Sequence, residues 1–271
     1  MNFSKIDTMT ETYDTVIDSL AEAKESHFIT EENFYILHWL YRIRKACCAR
    51  GIRIGFIQPD FLWVINRPMM RIKKLWRTNA DIKIAADLWC TNRAAAEEQY
   101  GHISDWDVSS VTDMSGLFHF RPNFNDDISR WDVSNVTNMR SMFYKAQYFN
   151  QPIGRWNVSK VTNMTLMFAC AYSFNQPIED WNVSNVRDMG CMFAGTKSFN
   201  QSIGVWNVFK VTNMSLMFKH AYAFNQHIGD WNVSNVRDMH FMFAFAYKFN
   251  QSIDSWDMSN VSNNEGMFFR D

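Results

Sequence analysis

The side chains best suited to chemistry in this sequence are carboxylates set at a fixed interval. Asp107, Asp132 and Asp257 each follow a tryptophan, and Asp105, Asp180 and Asp230 each precede one. Two carboxyl groups across a cleft can cleave a glycosidic bond, one as acid and the other as base or nucleophile. Such a site needs a few unique residues gathered in one place. These aspartates instead return at equivalent places along the chain, as architecture does. The seven histidines and five cysteines offer no alternative, because no HExxH, CxxC or mixed Cys/His cluster occurs. P-loop, GxGxxG and GxSxG strings are also missing. The expectation is a protein that is not an enzyme and that holds neither cofactor nor metal. A row of hydroxyls, Thr112, Thr137, Thr162 and Thr212, could suggest ice binding, but Arg187 and Arg237 interrupt it.

The interval itself is the dominant signal. Trp106, Trp131, Trp156, Trp181, Trp206, Trp231 and Trp256 keep one constant spacing, with no position gained or lost between them. One supersecondary unit has been copied, and such units bury their apolar faces against each other. Comparing the copies separates inside from outside. The Trp, two Val, two Met (Leu117 in the first copy), two Phe and one Ile recur as apolar columns, whereas the residue before each Trp varies freely. In Ile128-x-x-Trp131-x-Val133 the last two would point inward from a short strand, because alternate side chains share a face. Val136, Met139, Met142 and Phe143 follow at the spacing of a helical or 3-10 turn. The fold expected is a mainly β repeat solenoid, leucine-rich-repeat-like, with one short strand and one helical or 3-10 turn per coil, behind an N-terminal α-helical region.

The string Trp131-Asp132-Val133-Ser134-Asn135-Val136-Thr137-Asn138-Met139, with Met142-Phe143 and Phe149-Asn150-Gln151, resembles the BspA-type leucine-rich-repeat surface proteins. It is similar to the repeat of Mycoplasma and Listeria lipoproteins and of many algal and protist proteins. The resemblance covers roughly residues 81–271 and implies a curved solenoid that binds proteins or host surfaces.

Three regions are expected: a mainly helical module over 1–80, a capping helix and entry over 81–102, and an array of six full copies and a partial seventh over 103–271. Within the first, a helix is expected from about Thr30 to Gly51, and residues 42–77 gather ten Arg/Lys against one acid. That basic run reads as a solvated face balancing the acidic stretch at 1–32. The formal net charge of −1 gives no bias towards nucleic acid, and no run of 18 apolar residues forms a membrane span. The start lacks the basic and apolar regions of a secretory signal, and there is no lipobox cysteine. An intracellular monomer with scattered, reduced thiols is the expectation, although the resembling family is often found at the cell surface.

Binding is therefore expected along the solenoid rim. The candidate residues are Asp107, Asp132, Asn157, Asn182, Asn207 and Asn232 after each Trp, together with Arg130, Arg155, Asp180 and Asp230 before it. Phe209, which stands where other copies carry Ser, joins them as a large apolar side chain on a polar face. The occupant expected is a protein partner. Two alternatives stay open: an adaptor whose helical module recruits other machinery, and a carbohydrate-active or carbohydrate-binding β-helix protein. The Asn-Gln pairs, such as Asn150-Gln151, are expected to satisfy turns and form ladders.

Overall fold

The computed structural model describes residues 75–270, within a unit spanning Met69–Asp271. The helix expected at Thr30–Gly51 and most of the basic run at 42–77 lie outside the described residues.

Helix α1 spans Ile82–Thr91 and α2 spans Arg93–Tyr100. The sequence suggests one continuous helix here; the structure breaks it at Asn92. That residue adopts φ −146° and ψ 81°, and its side chain accepts from the Ala95 N–H to cap α2. Buried Ile82, Ala85, Ala86 and Trp89 recur on one face of α1 at helical spacing. Gly101, at φ 74°, ends α2 in the left-handed region.

The copies stack directly on one another. In each full coil, four alternate N–H groups donate to carbonyls of the coil that follows. Met139, Ser141, Phe143 and Lys145 reach Asn163, Thr165, Met167 and Ala169 at 2.8–3.0 Å, and later coils repeat the pattern. The intervening N–H groups of Met142, Tyr144 and Ala146 close local turns onto Met139, Ser141 and Phe143. A further bond runs backwards, from Thr137 N–H to the Thr112 carbonyl at 2.8 Å. Beside it lies a line of isolated parallel bridges through Asp113, Asn138, Asn163, Asp188, Asn213, Asp238 and Asn263. Pairing between coils thus concentrates on the segment after Val136. The segment around Trp131 and Val133, where the short strand was expected, is held mainly by side chains.

This backbone requires left-handed residues. Ser141, Lys145, Leu166, Cys170, Cys191, Leu216, His220, Phe241 and Phe245 all have φ between 50° and 61°. They fall at two fixed positions per coil, which glycine occupies at Gly116, Gly195 and Gly266. For a residue with a Cβ the left-handed region costs about 1–2 kcal/mol. Gly195→Ala should therefore destabilise by about that amount, more so because the new Cβ would lie 3.2 Å from Cys170 Sγ. Ser141→Gly should have the opposite sign, gaining up to about 1 kcal/mol after the added freedom of the unfolded chain is subtracted. Urea midpoints of the two variants check both.

The interior is one ladder of rings. Within a coil two Phe rings stack, Phe168 on Phe174 at 3.9 Å, and Phe168 also lies 5.8 Å from Phe193 of the next coil. Each indole is buried with its N–H paired. Trp131 Nε1 donates to the Ile103 carbonyl at 2.9 Å. Trp156, Trp181, Trp206, Trp231 and Trp256 do the same to Ile128, Ile153, Ile178, Ile203 and Ile228 at 3.0–3.2 Å. The Trp column is thus both apolar filling and a donor column, which satisfies the demand a buried indole makes.

Helix α1 covers the first coil. Trp89 meets Trp106 edge-on at 6.1 Å, and its Nε1 donates to Asp126 Oδ2 at 3.0 Å. Arg93 bonds both oxygens of Asp126 at 2.6 and 2.7 Å. Residues 75–79 continue the cover. Trp76 bridges Asp107 in parallel, and Asn79 Oδ1 accepts from the N–H groups of Thr112 and Asp113. Asn79 thereby supplies the acceptor that the preceding coil supplies elsewhere in the array.

Candidate functional site

All eleven rim candidates are exposed: Asp107, Arg130, Asp132, Arg155, Asn157, Asp180, Asn182, Asn207, Phe209, Asp230 and Asn232. Buried Trp and Val flank the column after each Trp on both sides, whereas Arg130, Arg155, Asp180 and Asp230 each adjoin a buried Trp on one side and Phe209 adjoins buried Val208.

The column after the Trp also has a structural duty. Asp107, Asp132, Asn157, Asn182, Asn207 and Asn232 each accept, through Oδ1, the N–H two residues on, at 3.0–3.2 Å. This is the Asx turn, which either Asp or Asn can close. One side-chain oxygen per coil is therefore engaged in the turn, on a residue that stays exposed. The Ser134 hydroxyl and N–H hold the Asp132 carboxyl below the usual carboxylate range. Ser129 does the same for Asp127, and Ser259 for Asp257. A general acid needs the opposite, a raised value.

Linkage gives these turns a pH signature. A depressed folded value contributes stability that is present above the unfolded Asp value of about 3.9 and is lost as pH falls through the folded one. Thermal melts should therefore weaken with acid below about pH 4. Asp132→Asn keeps the turn acceptor, as Asn157 and Asn182 do, and should flatten that part of the profile. An unchanged slope in the variant would assign the acid sensitivity elsewhere.

The structure gathers some of the candidates and separates others. Arg130, Arg155, Asn157, Asp180 and Asn182 line one open groove of about 830 Å³, with Glu179 and Pro177 beside them. The second and third coils contribute its cations and the fourth its carboxylates. Phe209 stands in the fifth coil, 48% exposed, on the other side of Trp206 from Val205 at 78%. The sequence marked Val205 only as one member of a variable column. Two apolar side chains bracketing one Trp on a polar rim were readable as a pair. Asp230 is occupied locally, its Oδ2 lying 3.0 Å from His227 Nε2.

Other polar columns resolve as scaffold. Asn150 Oδ1 accepts from the Asn175 N–H at 2.9 Å, and Gln176 Nε2 donates to the Asn150 carbonyl at 2.9 Å. The same pair of bonds repeats from Asn125 to Gln251. Cys90, Cys170 and Cys191 are free and half-buried, at the margin of the core. Burial pushes Cys90 up to about 11 and raises the other two, so all three are held as thiols at neutral pH. Among the described residues no group of His, Cys, Asp and Glu is placed to hold a metal ion. No helix among them is long and apolar enough to cross a membrane.

Stacked copies, one shared interior and a variable rim define a repeat protein. A family model described as Mycoplasma protein of unknown function, DUF285, matches residues 90–206 and again 175–271, and the chain belongs to that family. No curated protein and no solved structure matches it.

Proposed function

We propose that this chain is a non-enzymatic scaffold that binds a protein partner along the rim of a leucine-rich-repeat-like solenoid. It makes that contact by shape and side-chain complementarity, without a cofactor. The observation that carries this reading is the division between columns. Positions that face the interior keep one residue type through the copies, while the exposed position before each Trp is Asp, Arg, Arg, Asp, Val, Asp and Ser in turn. Stacking constrains the first kind and leaves the second free to be shaped by a partner. The groove between Arg155 and Asp180 offers both charge signs, and Val205 with Phe209 offers the apolar anchor found at the centre of many interfaces. The resemblance of the repeat to BspA-type surface proteins agrees with a binding role. Asp132, whose carboxyl Ser134 holds below the usual range, is set to close a turn and not to act as a general acid.

Both substitutions that test the proposal come from the array's own alternatives, which keeps the fold out of the comparison. Phe209→Ser restores the residue of other coils, and Arg155→Asp reproduces the charge found at Asp180. Affinity capture with the full chain should recover one discrete protein partner, and the double variant should lose it at an unchanged melting temperature. Recovery of the same partner by wild type and variant alike would remove the rim from the interaction.

A further inference from the structure

A second surface, on the columns that follow the rim, carries a charge pattern the rim does not. Arg187, Lys210 and Arg237 come from three successive coils and line one open hollow of about 540 Å³. Thr212, Asn235, Asn260 and Ser262 complete it, so no carboxylate and no aromatic ring lines the hollow. Lys160, two coils earlier in the Lys210 column, extends the basic row in the same direction.

The neutral groups are already committed. Thr212 and Ser262 hydroxyls donate to the Arg187 and Arg237 carbonyls, and the Asn235 and Asn260 amides donate to the Phe209 and Ser234 carbonyls. Lys160 and Lys210 lean on the side-chain oxygens of Asn135 and Asn185 at 2.6 and 2.7 Å, which fixes their ammonium groups without neutralising them. Neither the Arg187 nor the Arg237 guanidinium has a hydrogen bond or ion pair among the described residues. The acids next in sequence are engaged elsewhere. Asp188 accepts from Gly190 N–H and Asn213 Nδ2, and Asp238 pairs with the backbone N–H and Nδ1 of His240.

The column after the Trp changes in step with this row. It holds Asp at 107, 132 and 257 but Asn at 157, 182, 207 and 232, in the four coils that carry the cations. Since either residue closes the turn, the change is free structurally; its effect is to strip negative charge from the strip beside Lys160, Arg187, Lys210 and Arg237. Lys160 and Lys210 stand two residues before the column of Arg187 and Arg237; with coils about 4.8 Å apart, the four cations alternate between two adjacent columns along about 15 Å.

We infer that Lys160, Arg187, Lys210 and Arg237 form a binding track for a linear acidic polysaccharide carrying sulfate or carboxylate groups. Planar guanidinium groups pair with such oxyanions through two parallel N–H bonds, and one charge per coil along a narrow band suits an extended polyanion. Single-stranded nucleic acid is disfavoured, because it needs aromatic platforms for its bases and the hollow has none. The track runs alongside the proposed protein-binding rim but uses different side chains, so substitutions in one set leave the other in place and either can fail without the other.

The test uses the full chain and a size-defined heparin octasaccharide, with neutral dextran, inorganic sulfate and a single-stranded DNA decamer as comparison probes. Again the array supplies the neutral replacements. Arg187→Thr, Arg237→Thr and Lys210→Asn each install the residue that other coils carry in the same column. Calorimetric titration should show octasaccharide binding that falls at least tenfold in the triple variant, at an unchanged melting temperature. A footprint locates the contact independently of other basic segments. Octasaccharide should shield Lys160 and Lys210 from acetylation and leave Lys197 and Lys248, in other columns, reactive. Unshielded Lys160 and Lys210, undiminished affinity in the variant, tighter binding of the DNA, or equal affinity for inorganic sulfate would each overturn the assignment.

Discussion

Replacing Trp181 by alanine should lower the free energy of unfolding by about 3–5 kcal/mol, the range for deleting a large aromatic side chain from a packed core. The ring lies in the middle of the array, 3% exposed, against Phe168 at 6.2 Å. Each coil contacts only its neighbours, so the damage should stay local in structure while spreading through cooperativity. Hydrogen exchange should rise first in the coils on either side of Trp181. Trp181→Phe separates packing from hydrogen bonding. The Ile153 carbonyl accepts both the Trp181 indole N–H and the Trp156 backbone N–H, and phenylalanine removes only the first. That bond is worth about 1 kcal/mol net, so the phenylalanine variant should fall well short of the alanine loss. Urea unfolding of the two variants measures the difference; equal losses would show that the donor role of the column carries no weight.

Asp126→Ala should cost about 2–3 kcal/mol, because it strands a donor. Trp89 is 1% exposed and its N–H has this carboxylate as partner, while the exposed contribution of Arg93 is small. The loss should loosen α1 from the first coil, seen as faster exchange of the α1 amides while coils four to six stay protected. Asp126→Gln installs the residue of the later coils, which keeps an acceptor and removes the charge. Its smaller expected loss would assign the effect to the Trp89 hydrogen bond, and a loss equal to that of alanine would assign it to the ion pair with Arg93.

The sequence disclosed the inside of this molecule better than its backbone. Trp, Val, Met and Phe columns repeat without slippage, and every such residue from Trp106 to Phe249 is buried. The carbonyl that receives each indole could not be read, because it belongs to another copy and depends on the offset between coils. The path after Val136 was equally hidden. Nothing about Leu166 or Phe245 as residue types announces a left-handed conformation; the stack imposes it, and inter-coil hydrogen bonds offset its cost. One local departure did carry a message. Asp126 replaces the Gln of later copies at the first coil, which α1 covers, and there it accepts from Trp89 and Arg93 where Gln would bond another amide column. At the rim the sequence identified exposed positions correctly as a class. Which of them meet across a groove depended on how successive coils align.

The direction of the inter-coil bonds has a consequence for electrostatics. From Met114 to Phe245, every donor of the alternating segment reaches forward and every acceptor faces back. Peptide dipoles aligned in one sense add, as they do along a helix axis. One side of the array therefore has a polarity of its own, with the electron-rich end at the first coil. Lys83 of α1 stands at that end, bonded to Asp113 and Ser115 at 3.3 and 3.0 Å. The helix that seals the apolar interior thus also places a cation where the summed field of the peptide groups is most negative.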